Sequence, residues 1–106
     1  MAKHYTVDGE VREVSPANGK YFTYAELQGF VRAGDNDMIE IVPLPSGNEL
    51  VVNEEGKLIG LLPNQKATEL WKQEYPISDY PDNNDELIVG NALLCAPEEL
   101  SSEEDN

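Results

Sequence analysis

Reactive side chains are scarce in this chain. Its 106 residues include one cysteine, Cys95, and one histidine, His4. A lone cysteine closes no internal disulfide and forms no C-x-x-C pair. A lone histidine, near an end expected to be mobile, has no second imidazole with which to build a metal or catalytic cluster. Gly-rich phosphate loops, H-E-x-x-H and G-x-S-x-G are all missing, so no catalytic residue, cofactor or metal is expected. Apolar runs are short. None approaches the roughly 20 residues of a membrane helix, and no basic-then-apolar leader pattern opens the chain. No membrane association and a cytoplasmic location are the corresponding expectations. Bases are few as well: 7 Lys and Arg stand against 21 Asp and Glu, for a formal charge of −14. Such a body repels nucleic acid and anionic membranes. Direct nucleic-acid binding is therefore not expected, and the expected partner is a basic protein surface.

A hydrophobic content of 40% indicates a folded body. At this length one domain is expected, burying about two-thirds of its unfolded surface. Residues 98–106 (EELSSEEDN) hold five acids and no base and read as a flexible acidic tail on a domain spanning residues 1–97. The tail explains only part of the charge, since 16 acids against 7 bases remain in the body, a net of −9.

The stretch Leu50–Asn64 (LVVNEEGKLIGLLPN) reads as two strands folded back around a tight acidic turn. Leu50-Val51-Val52 and Leu58-Ile59 with Leu61-Leu62 supply the β-prone flanks. Gly56 is placed where a short hairpin connection needs a left-handed residue. Glu54 and Glu55 at the tip read as a solvated turn and not as metal ligands. Asp8-Gly9, between Tyr5-Thr6-Val7 and Val11–Val14, signals a second hairpin.

Thr23-Tyr24-Ala25-Glu26 fits a capping box. Tyr24, Leu27, Phe30 and Val31 follow at helical spacing, and Gly34 marks the stop. Gly29 within that helix either permits close approach of a neighbour or is simply tolerated. Met38–Leu44 is β-prone, with Pro43 suited to a strand end or an edge. Asn64 can cap a second helix whose stripe is Ala67, Leu70, Trp71 and Tyr75, ended by Pro76. Trp71 reads as core.

Ile77–Asp85 reads as a polar loop. Asp79, Asp82, Asn83, Asn84, Asp85 and Glu86 make it rich in oxygen ligands, but no glycine lies between Asp79 and Glu86 to satisfy a calcium-loop pattern. A solvated loop is expected. Leu87–Ala96 (LIVGNALLCA) is apolar on both faces and belongs in the middle of the sheet. Within it Cys95 reads as a small buried hydrophobe. Gly90 suggests close approach by another element, and Asn91 reads as a hydrogen-bonded core amide or an outward-facing position.

Leu27-Gln28 with Val31, Ile39-Glu40, Asn53-Glu54-Glu55-Gly56-Lys57-Leu58, Gly60-Leu61, Asn64 and Ile88-Val89-Gly90 follow a shared order and spacing. In these the chain resembles, over residues 23–95, a domain-of-unknown-function family found in phages, plasmids and integrated mobile elements of bacteria. It departs from that pattern in having Gly34-Asp35-Asn36-Asp37-Met38 where paired glycines are usual, and in its long Ile77–Asp85 loop. The resemblance brings no catalytic residues. Its members' frequent neighbourhood with antirestriction genes implies an accessory role.

The element order reads β-β-α-β-β-β-α-β. The expected fold is a single α+β domain with a mixed, largely antiparallel sheet of about six strands and two helices packed against it. The expected function is that of a small acidic, non-enzymatic interaction module of a phage or mobile element. The alternative is a DNA-mimic antirestriction inhibitor, whose carboxylates would imitate duplex phosphate spacing. Glu54, Glu55, Asp82 and Asp85 are the candidate surface positions.

Overall fold

The structure is a computed structural model that describes residues 2–56, 59–74 and 88–100. It contains β1 (Ala2–Tyr5), β2 (Val11–Val14), α1 (Tyr24–Val31), β3 (Ile39–Pro43), β4 (Glu49–Asn53), α2 (Gln65–Glu74) and β5 (Ala92–Cys95). The strands form one five-stranded sheet in the order β2-β1-β5-β4-β3. Every pairing in it is antiparallel.

Two hairpins are built alike. In each, a backbone N–H of a glycine closes a turn: Gly9 donates to the Thr6 carbonyl at 3.0 Å and Gly47 to the Leu44 carbonyl at 2.9 Å. Both glycines have positive φ, 92° and 101°, the left-handed residue that follows a type I turn in a short hairpin. The first turn starts earlier than the β-prone run suggests, so Thr6 and Val7 lie in the loop. The last strand in the chain, β5, enters between the hairpins and pairs with β1 and β4. Its apolar composition explains the position, because a central strand is covered on both faces.

Alternate residues of one strand point to opposite faces, and the core divides accordingly. Val51, Leu93 and Cys95 pack with Leu27 and Val31 of α1 and with Ala2, Phe22 and Leu100. Leu50, Val52 and Ala92 pack with Ala67 and Trp71 of α2 and with Leu44. One helix therefore covers each face. Leu50 and Leu93 are fully buried, and truncating either to alanine should cost about 2–5 kcal/mol. Pro43 ends β3 at the sheet edge, where its missing N–H deprives no ladder bond.

The capping box forms as read. Glu26 N–H donates to Thr23 Oγ1 at 3.2 Å, and Thr23 N–H donates to Glu26 Oε1 at 2.8 Å. Asn64 caps α2, its Oδ1 accepting from Ala67 N–H at 3.1 Å.

Four expectations need correction. The sheet has five strands instead of about six and is antiparallel throughout, not mixed. The Leu50–Leu62 hairpin does not exist. Both edges of β4 are already taken by β3 and β5, and after Asn53 the chain coils. Ile59 N–H donates to the Glu55 carbonyl at 3.0 Å, Leu61 N–H to the Gly56 carbonyl at 3.0 Å, and Gly60 has a φ of 75°. Gly56 does not have positive φ; its lack of a side chain serves packing instead. Finally, the body does not end at residue 97. Residues 97–100 form a 3₁₀ turn, Leu100 is buried in the core, and the Glu99 carbonyl accepts from Phe22 N–H at 2.8 Å. Residues 101–106, the rest of the expected tail, lie outside the described residues.

Candidate functional site

The segment from Asn53 to Asn64 is pinned at both ends by buried asparagines. Asn53 is the last residue of β4. Its Nδ2 donates to the carbonyls of Val31 and Asn36, at 3.2 and 3.3 Å. Its Oδ1 accepts from Glu55 N–H at 2.9 Å. One amide thus joins the end of α1, the turn after it and the end of β4. Asn64 is fully buried. Besides capping α2, it donates from Nδ2 to the carbonyls of Tyr5 and Gly90, at 3.0 and 2.9 Å.

Between these anchors the chain lies against residues 88–90. Gly90 N–H donates to the Leu62 carbonyl at 2.8 Å, and Asn64 N–H to the Ile88 carbonyl at 2.7 Å. Thr68 Oγ1 completes the join by accepting from Ile88 N–H at 2.8 Å. Leu61 fits between two glycines. A Cβ on Gly90 would come within 2.7 Å of Leu61 Cδ1, and one on Gly56 within 3.3 Å of the same atom and 2.9 Å of Val89 Cγ2. The residues of the Asn53–Asn64 and Ile88–Gly90 motifs therefore meet in space as one packed unit.

A cleft of about 190 Å³ opens beside this unit. Leu61, Leu62, Gly90 and Asn91 line it together with Val7, Val31, Arg32 and Ala33. Asn91 Oδ1 accepts from Val7 N–H at 3.1 Å, so a hydrogen bond joins two of the lining segments. Leu62, which lines the cleft, is 67% exposed, and Ile59, three residues earlier in the same segment, is 45% exposed. Arg32 is its one cation, and Asp37 pairs with it at 3.4 Å. The lining residues offer no carboxylate, thiol, hydroxyl or imidazole. The volume falls below the roughly 300–1,000 Å³ of small-molecule and cofactor sites.

The expected surface positions divide. Glu54 is exposed at the turn after β4. Glu55 is partly buried and accepts from Asn36 Nδ2 at 2.8 Å, so its carboxylate helps hold the turn. Asp82 and Asp85, with the rest of the Ile77–Asp85 loop, lie outside the described residues. Among the described residues, no three or more His, Cys, Asp or Glu gather where they could hold a metal ion.

His4 departs from its expected place, whereas Cys95 is buried as expected. His4 is not at a mobile end. It sits in β1 with Nε2 donating to the Phe30 carbonyl at 3.0 Å and its ring against Phe30. Burial pushes the Cys95 thiol up to about 12, and the carboxylates of Glu99 and Glu49 add to the rise. A thiol so protonated is a poor nucleophile. Val7, Arg32, Ala33, Leu61, Leu62 and Asn91 were missed as surface candidates. The one available signal was Pro63, whose missing N–H does not suit a central strand running through Leu62.

No helix among the described residues is long and apolar enough to cross a membrane. No curated protein and no solved structure matches the chain. The profile of one family, described as a domain of unknown function (DUF3846), matches residues 5–105.

Proposed function

We propose, from the premise that the chain belongs to the DUF3846 family of domains of unknown function, that it is a small non-enzymatic interaction module whose binding face is the cleft between the end of α1 and Leu61-Leu62. The observation that carries the reading is the exposure of Ile59 and Leu62 on a segment whose backbone is fixed at both ends. A turn needed only for connection has no use for two solvent-facing aliphatic residues, and apolar groups kept at the surface beside a preformed cleft mark protein contacts. Rigidity helps, because a pre-organised surface loses little entropy on binding. The cleft's small size and its lack of acid, base or nucleophile favour contact over catalysis.

The partner in this reading is a basic protein surface, matching the chain's net charge of −14. The phage or mobile-element setting comes with the resemblance of the Asn-Glu-Glu-Gly-Lys-Leu block and forms part of the proposal. DNA mimicry would need its carboxylates in one row. The described acids are divided between Glu26 on α1 and Glu69 and Glu74 on α2, which cover opposite faces of the sheet, with others on the hairpins. That arrangement gives mimicry no support.

The test is affinity capture from a lysate of the source cells. Wild-type protein should retain a specific protein that the Leu62→Asp variant loses while keeping its unfolding midpoint. Equal capture by both would refute the cleft as the binding face.

A further inference from the structure

We infer that the occupant of this cleft is a short segment of a partner protein in which bulky apolar side chains are flanked by lysine or arginine. This rests on the reading of the cleft as a binding face and adds the chemistry of what fills it. Apart from Arg32, which is paired with Asp37, and the Asn91 amide, the lining is aliphatic or glycine, so the group that enters is apolar. The space suits one or two side chains and not a drug-sized molecule.

Charge around the cleft selects what flanks that group. The described chain segments that line it or adjoin its lining in sequence, residues 7–8, 31–37, 53–56, 59–64 and 88–91, carry Asp8, Asp35, Asp37, Glu54 and Glu55 against Arg32. Asp8 directly follows Val7, Asp35 lies in the turn that starts at Ala33, and Glu55 is bonded to Asn36 of that same turn. Arg32, the cation of the lining, already faces Asp37. An acidic segment would have to break that pair and would meet the other carboxylates; a basic one meets carboxylates without displacing anything. Complementary potential of this kind fixes the partner's sign and speeds its encounter. Asn91 adds a directional element. Its oxygen is used by Val7, and its amide nitrogen has no hydrogen-bond partner among the described residues, which suits it to donate to a backbone carbonyl of an extended segment.

The experiment is an amide-resolved NMR titration of the full chain with the peptide Lys-Lys-Ser-Leu-Phe-Leu-Ser-Lys-Lys. Two controls are titrated in parallel, one with every lysine replaced by glutamate and one with Leu-Phe-Leu replaced by serines. The expected result is saturable shifts centred on Val7, Ala33, Leu61 and Asn91. Each control should bind at least about tenfold more weakly, and raising salt from about 50 to about 300 mM should weaken the parent peptide. Shifts spread over remote acids such as Glu69 and Glu74, or equal binding by the serine control, would show charge attraction only and overturn the proposal. Absence of shifts would overturn it too. If lysate capture through the cleft succeeds while the peptide fails, the occupant's chemistry is wrong and the interaction module stands. If both fail, both readings fall.

Discussion

Leu61 occupies the space that a side chain on Gly90 would need, with its Cδ1 2.7 Å from where that Cβ would stand. The two residues are far apart in sequence, and their contact closes the wall of the cleft. Gly90 also has a φ of 78°, where an L side chain is strained by about 1–3 kcal/mol. Gly90→Ala should therefore cost about 2 kcal/mol or more in chemical denaturation, combining strain with overpacking. Gly56→Ala, without the φ term and facing a movable Val89 methyl, should cost about 1 kcal/mol. Adding Leu61→Ala to Gly90→Ala should recover the packing part of the loss and leave the strain. A double-mutant cycle showing no coupling between positions 61 and 90 would contradict the contact.

Asn64 gives a prediction opposite in sign to ordinary cap chemistry. Aspartate is normally as good an N-cap as asparagine. Here Nδ2 donates to two carbonyls in a fully buried position. Asn64→Asp would aim a carboxylate at both. The substitution should cost about 3 kcal/mol or more. The introduced acid would have a folded pKa raised above its unfolded value. The loss should therefore grow as pH rises through the carboxylate range and shrink in acid. An unchanged midpoint at neutral pH would refute the buried cap geometry.

The capping box of α1 carries a pH dependence of the opposite sense. Backbone N–H groups of Thr23 and Ala17 hold the Glu26 carboxyl below its ordinary value. A group whose folded pKa is depressed contributes stability above its unfolded pKa and loses it as pH falls through the folded value. Glu26→Gln should thus lower stability above the carboxylate range, flatten the acid limb of stability against pH, and change little in strong acid. Thr23→Ala should cost about 0.5–2 kcal/mol. A variant whose acid limb matches wild type would contradict the Glu26 assignment.

Cys95 should be silent in the folded state. With its thiol pushed up to about 12, the thiolate fraction at pH 8 is about one part in ten thousand. Incubation with a thiol reagent should label the protein only when denaturant is added. Rapid labelling of native protein at pH 8 would contradict the burial of β5.

What was legible in the sequence was local. The Thr23–Glu26 box, the Asp8-Gly9 hairpin and the Asn64 cap each depend on a few neighbouring residues with fixed spacing. The central place of β5 was legible too, because Ala92–Cys95 is apolar on both faces. The Leu58–Leu62 run was misread because a short apolar stretch has no decisive period. Whether it pairs depends on the edges of β4, which distant strands occupy. The cleft was invisible for a related reason. Its lining comes from four separate segments around Val7, Val31, Leu61 and Gly90, and no spacing within one segment announces their meeting. The glycine at 56 was correctly singled out but for the wrong cause, a turn conformation instead of the room it leaves for Leu61 and Val89.

The most direct measurement of the central claim compares stability with capture in three proteins: wild type, the cleft-rim double variant Ile59→Ser/Leu62→Ser, and a double variant on the exposed side of α2, Gln65→Ser/Gln73→Ser. The rim residues are exposed, so their double variant should keep the wild-type denaturation midpoint to within about 0.5 kcal/mol per site, and the α2 variant should fall only by the small helix-propensity cost of serine. Only the rim variant should lose the captured partner. A rim variant that retains the partner, or an α2 variant that loses it equally, would contradict the assignment of binding to the cleft.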